Sequence, residues 1–176
     1  TQLKVIGIVS MTIDHIGYFL FPQMTVLRVI GRLAYPIFAY MIAEGCIYTR
    51  SKARYFCTVL AIACICSAIT YFVERSLYQS IFTTFSCAML LIFALDAAEK
   101  AAETARSILW GTSAVMLTFL YFAVFQLQMI PGFETDYGFL GIITPVLVWL
   151  GRSKAEKLSG LTVGLCLLSA ELGAVQ

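Results

Sequence analysis

The stretch LKVIGIVSMTIDHIGYFLFP at residues 3–22 decides the fold class, because it is a long apolar run that nevertheless contains ionisable side chains. About twenty apolar residues are enough to cross the hydrocarbon core of a bilayer. A second such stretch, LRVIGRLAYPIFAYMIAEGCIYTRSKARY, follows directly at residues 27–55. The two stretches predict a pair of membrane-spanning helices that contain five ionisable residues of interest: Asp14, His15, Arg28, Arg32 and Glu44.

The composition of the whole chain supports the same class. Of its 176 residues, 60% are hydrophobic and 12% are charged, and the mean hydropathy is +0.88. Ordinary soluble domains have about 45–50% apolar and about 25% charged residues, so a soluble core could not bury this much apolar surface. The net charge of +2 is too small, and the basic residues are too scattered, to predict a nucleic-acid partner.

Apolar runs of sufficient length recur along the chain, and no internal repeat or separate soluble domain interrupts them. The sequence therefore predicts an all-α, polytopic transmembrane helical bundle that forms a single domain over residues 1–176, with lipid around it. An apolar run continues almost to Gln176, which leaves room for further spans in a longer parent protein. About seven spans are expected: Leu3 to Phe21, Arg28 to Thr49, Tyr55 to Val73, Ile81 to Leu95, Ile108 to Ile130, Tyr137 to Leu150, and Leu158 to Ala174.

Basic residues are sorted to one side of these spans. The connections at 22–27, 74–80 and 131–136 contain a single basic residue, Arg75. Short cytoplasmic loops of membrane proteins are enriched in lysine and arginine, so the more basic face is predicted to be cytoplasmic, together with the N-terminus. The protein is expected in the cell inner membrane as a multi-pass protein. The basic face carries Arg50, Lys52, Arg54, Lys100, Arg106, Arg152, Lys154 and Lys157.

The ionisable residues of the first hairpin predict a site in the outer half of the membrane. An ionisable side chain near the bilayer centre costs about 2.5–3.5 kcal/mol on insertion scales and usually serves a function. Asp14 and His15 are adjacent, and Arg28 and Arg32 are four residues apart, as on one face of a helix. One interpretation is a structural ion pair between Asp14 and Arg32. The other is a catalytic site in which His15 acts as a general base, because histidine titrates near neutral pH.

A second group of residues is predicted near the cytoplasmic end of the second span. Glu44 lies roughly 18 Å inward of Arg32 along a helix. Beyond it, Tyr48, Arg50 and Arg54 form a basic and aromatic edge suited to an anionic ligand that carries phosphates. A plain positive-inside signal explains Arg54 equally well.

The remaining polar residues predict no further site. The chain has six cysteines without the spacing of metal ligands and a single histidine, so no metal site is expected. Residues 96–106 and 152–157 are expected to be solvated cytoplasmic connections. Glu171 lies in an apolar run and receives no role.

The quoted hairpin, with its stretches MTIDHIG and RLAYPIFAYMIAEG, resembles the TraX family, which is named for the protein that N-acetylates conjugative F-type pilin. The resemblance is close over residues 3–55. IFTTFSCAMLLIFALD at 81–96 and DYGFLGI at 136–142 are similar to weaker segments of the family. TraX proteins in turn look like small relatives of the transmembrane acyltransferases.

The resemblance implies transfer of an acetyl group from cytoplasmic acetyl-CoA to an acceptor amine at the outer side, such as a peptide or pilin-like N-terminus. It implies a catalytic role for His15, Asp14 and Arg32, and we expect Arg28 to contact the acceptor. Glu44, Tyr48, Arg50 and Arg54 are the expected residues of the donor side.

Two other classes of protein fit the same residues. A proton-coupled small-molecule transporter would use Asp14, His15 and Glu44 as a relay, although such transporters typically have duplicated halves, which this sequence lacks. A non-catalytic membrane chaperone for a pilin-like partner would need only helix surfaces. Replacement of His15 would leave such a chaperone intact.

Overall fold

The computed structural model describes residues 2–21, 23–130 and 132–174, except for the side chains of residues 18, 19, 28 and 172–174. Helices make up most of these ranges, and a single-turn π-helix at Phe122–Gln126 continues the sixth helix. In chain order the α-helices are α1 (Gln2–Phe19), α2 (Thr25–Gly31), α3 (Ala34–Tyr48), α4 (Lys52–Glu74), α5 (Ile81–Lys100), α6 (Thr104–Tyr121), α7 (Gly138–Leu150) and α8 (Lys154–Ala174).

The helices have the length and composition of membrane spans. Residues Gly138–Leu150 form a shorter apolar helix. With α1 before and α8 after, the segments follow the order of the predicted spans, and the prediction of an all-α membrane bundle with about seven spans is confirmed. Four segments of the described chain are long and apolar enough to cross a membrane: Thr25–Tyr48, Lys52–Glu74, Ile81–Lys100 and Thr104–Gln126.

The second predicted span, Arg28 to Thr49, corresponds to the segment Thr25–Tyr48, which a turn divides into two helices. The helix α2 ends at Gly31, and a turn at Arg32 and Leu33 leads into α3. Pro36 explains this turn, because a proline inside a helix lacks a backbone N–H and its ring clashes with the carbonyl four residues earlier, here that of Arg32. With α3 beginning at Ala34, Pro36 lies in the first turn, where a missing N–H costs no hydrogen bond.

The core of the bundle lies between α3, α5 and α7. Pro145 in α7 deprives the Gly141 carbonyl of its usual helical donor, and the Tyr35 hydroxyl of α3 donates to this carbonyl at 3.1 Å. The freed backbone oxygen is therefore satisfied by a neighbouring helix, as the apolar surroundings require. Large side chains that are fully buried in this core include Tyr35, Phe85, Met89, Ile92 and Ile142.

The polar connections gather at two opposite ends of the bundle. At one end Lys100 pairs with Asp96 at 2.8 Å, close to the turn that follows α5. At the other end the loop before α5 meets the loop before α7, where the Gln79 backbone N–H donates to the Glu134 carbonyl at 2.7 Å. We call these the inner end and the outer end, following the positive-inside assignment.

Candidate functional site

Asp136, in the loop before α7, is held at the outer end by two donors. The Tyr78 hydroxyl donates to its Oδ1 at 2.8 Å, and the backbone N–H of Ile81, the first residue of α5, also hydrogen-bonds to the carboxylate. The residue is partly exposed, but its carboxylate is turned toward these donors, and this burial raises the pKa of Asp136. Its donors and the charge of His15 oppose the rise, whereas the charge of Asp14 adds to it.

Asp136 therefore lies within electrostatic range of both predicted residues of α1. We define the outer cluster as Asp14, His15, Tyr78 and Asp136. Burial raises the pKa of the Tyr78 hydroxyl, and the Asp136 charge adds to this rise, so Tyr78 stays a proton donor at neutral pH. Tyr78 and Asp136 join the two outer loops by a hydrogen bond, and the charges of Asp14 and His15 act on Asp136 from α1.

Asp14 packs against the end of α2. A Cβ added at Gly31 would lie 2.6 Å from Asp14 Cγ, so only a glycine permits this approach of the two helices. The Asp14 side chain thus faces the Gly31 backbone. Adjacent residues of a helix point about 100° apart, so Asp14 and His15 present their side chains to different neighbours.

The hydrogen bond of the His15 ring determines which of its nitrogens can act as a base. Nδ1 lies 2.8 Å from the backbone carbonyl of Met11. A carbonyl can only accept, so Nδ1 carries the hydrogen and donates it, and the lone pair of the neutral ring is on Nε2. His15 is exposed at the outer end, where Nε2 can receive a proton from a substrate.

The predicted pairing of Asp14 with Arg32 is not observed. Among the ion pairs of the described residues, none joins these two side chains. The turn caused by Pro36 places Gly31, rather than Arg32, against Asp14, and Arg32 is exposed. The break also removes the single helix face that Arg28 and Arg32 were expected to share. The side chain of Arg28 lies outside the described residues.

An aromatic layer lies close to the outer cluster. The ring of Tyr137, which follows Asp136 in the chain, stacks on Tyr35 with 4.0 Å between ring centroids, and Phe85 stacks on Tyr35 at 6.1 Å. The hydroxyls of Ser80, Thr84 and Thr135 are buried without a hydrogen bond in the described part of the structure. These hydroxyls can hydrogen-bond to a polar group that enters from the outer end.

At the inner end, Glu44 is bound to a lysine of α8. Lys157 Nζ lies 2.5 Å from Glu44 Oε1 and 5.9 Å from the centre of the Tyr48 ring. The Lys157 side chain is only 10% exposed, so the expectation of a solvated connection is wrong for this residue. A buried lysine needs such a partner, because an isolated charge in apolar surroundings is costly. Glu44 lies at the inner end, in the same part of the bundle as the basic turns.

An inner cavity of about 490 Å³ opens beside this pair. Two of its three cations are paired with carboxylates of α5, Lys100 with Asp96 and Arg152 with Glu99, and the third is Lys157. Asp96 also pairs with Lys52. The cavity is lined by Ile47, Tyr48, Asp96, Glu99, Lys100, Trp149, Leu150, Gly151, Arg152 and Lys157.

The cavity includes only part of the group of residues that was predicted for the donor side. Tyr48 lines it and Glu44 adjoins it through Lys157, but Arg50 and Arg54 are exposed and do not line it. Arg50 precedes α4 and Arg54 lies in its first turn, whereas the cavity is lined by the ends of α3, α5 and α7 and the start of α8.

Several residues of the two ends were missed by sequence reasoning. Lys100, Arg152 and Trp149 line the inner cavity. They lie at the ends of predicted spans, where the sorting of basic residues indicated the topology but not a cavity. Asp136 lies in the stretch DYGFLGI, which resembles a segment of the family. Nothing in its position along the sequence related it to the residues of α1. Among the described residues, no group of three or more histidine, cysteine or carboxylate residues could hold a metal ion.

Comparison with known proteins gives a family match over nearly the whole chain and a relative that matches part of it. The profile of the family described as TraX protein matches residues 1–175. A protein of Rickettsia prowazekii (strain Madrid E), named only as uncharacterized, is 42% identical over 52 residues, which are 30% of this chain and 21% of the relative. The chain thus spans about a fifth of that relative's length. No solved structure matches the chain.

Proposed function

The chain belongs to the TraX family, and on that premise we propose that it is a multi-pass acetyltransferase of the cell inner membrane. It moves an acetyl group from cytoplasmic acetyl-CoA to an acceptor amine at the outer side, such as the N-terminus of a peptide or of a pilin-like protein of conjugation. One observation carries the proposal: a cavity with paired cations at one end of the bundle and a histidine with carboxylates at the other.

The inner cavity supports the donor half of the proposal. Its volume of about 490 Å³ falls among small-molecule sites, which typically occupy about 300–1,000 Å³. Tyr48 and Trp149 offer ring faces to a nucleobase, and Lys100 and Arg152 offer donors to phosphate groups. Both cations are paired with carboxylates of α5, so the phosphates of acetyl-CoA must compete with these carboxylates for them.

The outer cluster supports the acceptor half. The carboxylates of Asp14 and Asp136 attract an ammonium group to the exposed ring of His15. An α-amine has an ordinary pKa of about 7.7–8.0, so a base needs to remove only one proton to make it nucleophilic. Nε2 of His15 is that base, and Arg32, exposed at the turn before α3, is available to the oxyanion of the acetyl group.

The reaction needs no further reagent. The acceptor ammonium gives a proton to Nε2 of His15, and the free amine attacks the thioester carbonyl. The C–N bond forms, the C–S bond breaks, and the thiolate of CoA leaves with the proton that His15 returns, while the nitrogen releases its second proton to solvent. The products are an acetylated amine, CoA and one proton.

The two ends are separated by a packed core, which constrains the proposal. Along α3 alone, about 21 Å of helix lies between Ala34 and Tyr48. Tyr35, Met89 and Ile92 fill the interior between the ends. Acetyl transfer therefore requires helices to part so that the acetyl-bearing arm of the donor can reach His15.

Isotope-labelled acetyl-CoA tests the proposal directly. We expect the purified protein in lipid nanodiscs to transfer the labelled acetyl group to a peptide with a free N-terminus, as detected by mass spectrometry. His15→Ala should reduce the rate by about 10²–10⁴-fold, the usual contribution of a general base. The matched control is Thr12→Ala, one turn earlier on the same helix, where the hydroxyl bonds only to the Ile8 carbonyl.

The outcomes separate the classes of function. Full activity in His15→Ala would remove the histidine from the mechanism. A wild-type protein that labels no amine, yet still binds a pilin-like partner, would be a chaperone rather than an enzyme. Proton movement that depends on His15 in the absence of acetyl transfer would favour a transporter.

A further inference from the structure

The three cations that line the inner cavity differ in how far the protein covers them. The side chains of Lys100 and Arg152 are 70% and 77% exposed, whereas that of Lys157 is 10% exposed. Water screens exposed ion pairs, so they contribute little. A charge that is covered by protein interacts more strongly with its partner, because less water lies around it. Lys157 is therefore the cation of the cavity whose choice of partner matters most.

Lys157 connects the cavity to α3. It lines the cavity together with Tyr48, whose ring centre lies 5.9 Å from Nζ. The same Nζ lies 2.5 Å from Oε1 of Glu44, a residue that does not line the cavity. Lysine has a flexible four-carbon stem. A small movement of this stem would carry the ammonium group from Glu44 to a ligand in the cavity.

The backbone around Lys157 is held in place by local contacts. A Cβ added at Gly151 would lie 2.6 Å from the Lys157 backbone nitrogen, so the end of α7 closely approaches the first turn of α8. The Glu156 carboxylate closes this turn, because it accepts from the Arg152 backbone N–H at 2.8 Å and from the Ser153 hydroxyl at 2.9 Å. A change of partner therefore needs only the side chain of Lys157 to move.

We propose that Lys157 binds a phosphate group of the ligand that enters the inner cavity, and that Glu44 holds the ammonium group when no ligand is bound. Phosphate and carboxylate oxygens compete for one cation, so binding exchanges one ion pair for another. Glu44 is 28% exposed, so water can solvate its carboxylate after the exchange. The inference rests on the proposed function for the identity of the ligand, CoA, but the exchange itself does not.

The exchange makes Lys157 a residue that selects phosphate-bearing ligands. A ligand without phosphate has no group that can replace the Glu44 carboxylate, and it leaves the ion pair intact. The headgroup of an anionic lipid has the same phosphate chemistry, and basic pockets between helices on the cytoplasmic side also bind such headgroups. The rings of Tyr48 and Trp149 in the cavity wall favour CoA, because its nucleobase can stack on them.

Calorimetric titration of the full chain in phosphatidylcholine nanodiscs tests the site. We expect Lys157→Met to weaken the binding of CoA at least about tenfold, because a charge-assisted bond to phosphate is lost. The affinity for pantetheine, which has no phosphate group, should not change. Lys154→Met is the matched control, since Lys154 is an exposed lysine of the same turn that does not line the cavity. An unchanged affinity for CoA in a folded Lys157→Met protein would overturn the inference.

Glu44→Gln distinguishes an exchange of partners from simple attraction. The amide has the shape of the carboxylate without its charge, so Lys157 has no ionic partner to leave. We expect CoA to bind about three- to tenfold more tightly, and to raise the unfolding temperature by more than in the wild type. In a Lys157→Met background the same change should have no effect on the affinity. Weaker binding of CoA by a folded Glu44→Gln protein would contradict the exchange.

Two further results separate this inference from the proposed function. Binding of CoA that depends on Lys157, in a protein that transfers no acetyl group, would uphold the inference and reject the proposed function. Acetyl transfer by a Lys157→Met protein with unchanged affinity for CoA would do the reverse. Phosphatidylglycerol is then added to the nanodiscs. If this lipid, and not CoA, stabilises the wild type but not Lys157→Met, the exchange is upheld with a lipid headgroup as its ligand, and CoA is rejected.

Discussion

At the scale of single residues, Gly31 and Asp14 determine how the first hairpin closes. The glycine lets the backbone of α2 approach the carboxylate-bearing face of α1, and this contact takes the place of the ion pair expected from sequence. His15 is left on a neighbouring face, where its ring is exposed and hydrogen-bonded to the Met11 carbonyl. The glycine is thus part of the architecture of the outer cluster.

Gly31→Ala should destabilise the protein and displace Asp14. An added methyl group overlaps Asp14, and overpacking of this kind costs about 1–3 kcal/mol. Thermal unfolding in detergent micelles measures the effect. The control is Gly111→Ala in α6, where an added Cβ meets nothing within 4 Å, and where we expect a gain of about 0.5–1 kcal/mol from the stronger helix former. Equal behaviour of the two variants would contradict the close approach at Gly31.

Individual residues were predictable to different degrees. Asp14, His15 and Glu44 stood out because ionisable side chains are rare in apolar runs. Asp136 did not, because a charged residue in an outer loop is ordinary and its hydrogen bond with Tyr78 of the other outer loop depends on tertiary structure. The paired arginine was mispredicted, since a four-residue spacing has meaning only within an unbroken helix, and Pro36 breaks this one.

At the scale of helices, prolines and glycines decide which segments touch. Pro145 frees the carbonyl that Tyr35 binds. Gly160 of α8 lies so close to α7 that an added Cβ would be 2.5 Å from the Leu147 backbone oxygen. Small residues permit such contacts in lipid, where no hydrophobic force draws helices together. The existence of the helices could be predicted from hydropathy, but their neighbours could not, because apolar helices have no single face that marks a partner.

The Glu44–Lys157 pair should contribute to holding α3 against α8. Its side chains are 28% and 10% exposed, respectively. We expect Glu44→Gln to cost about 1–3 kcal/mol of stability, below the range for fully buried pairs because Glu44 is partly solvated. Adding Lys157→Met should recover part of that loss, since no unpaired charge then remains.

The exposed pair of Glu103 and Arg106 provides the control for this measurement. Its side chains are 73% and 66% exposed and 3.8 Å apart, so Glu103→Gln should change the stability by less than about 0.5 kcal/mol. A Glu44→Gln protein that unfolds at the same temperature as the Glu103→Gln protein would show that the inner pair does not join the helices.

At the scale of the whole molecule, the sorting of charges predicted the arrangement of the ends correctly. The basic turns meet at the inner end through the ion pairs of Asp96 and Glu99, and the less basic loops meet at the outer end through Tyr78 and Asp136. Hydropathy depends on the bilayer itself, which explains why it predicted the helices, and the assignment of the basic end to the cytoplasm stays a prediction. The inner cavity was not predictable, because it forms only where the ends of four helices come together.

The central claim is that an acetyl group crosses between these two ends, and a sided assay tests it most directly. The protein is reconstituted in vesicles, and its orientation is determined with a membrane-impermeant thiol reagent on Ser76→Cys in the outer loop. Labelled acetyl-CoA is supplied only at the inner end, and a peptide amine only at the outer end. We predict labelled peptide in wild-type vesicles, and we predict that His15→Ala vesicles form at least about 10²-fold less of it. Label that appears only on amines on the same side as the donor would contradict the account.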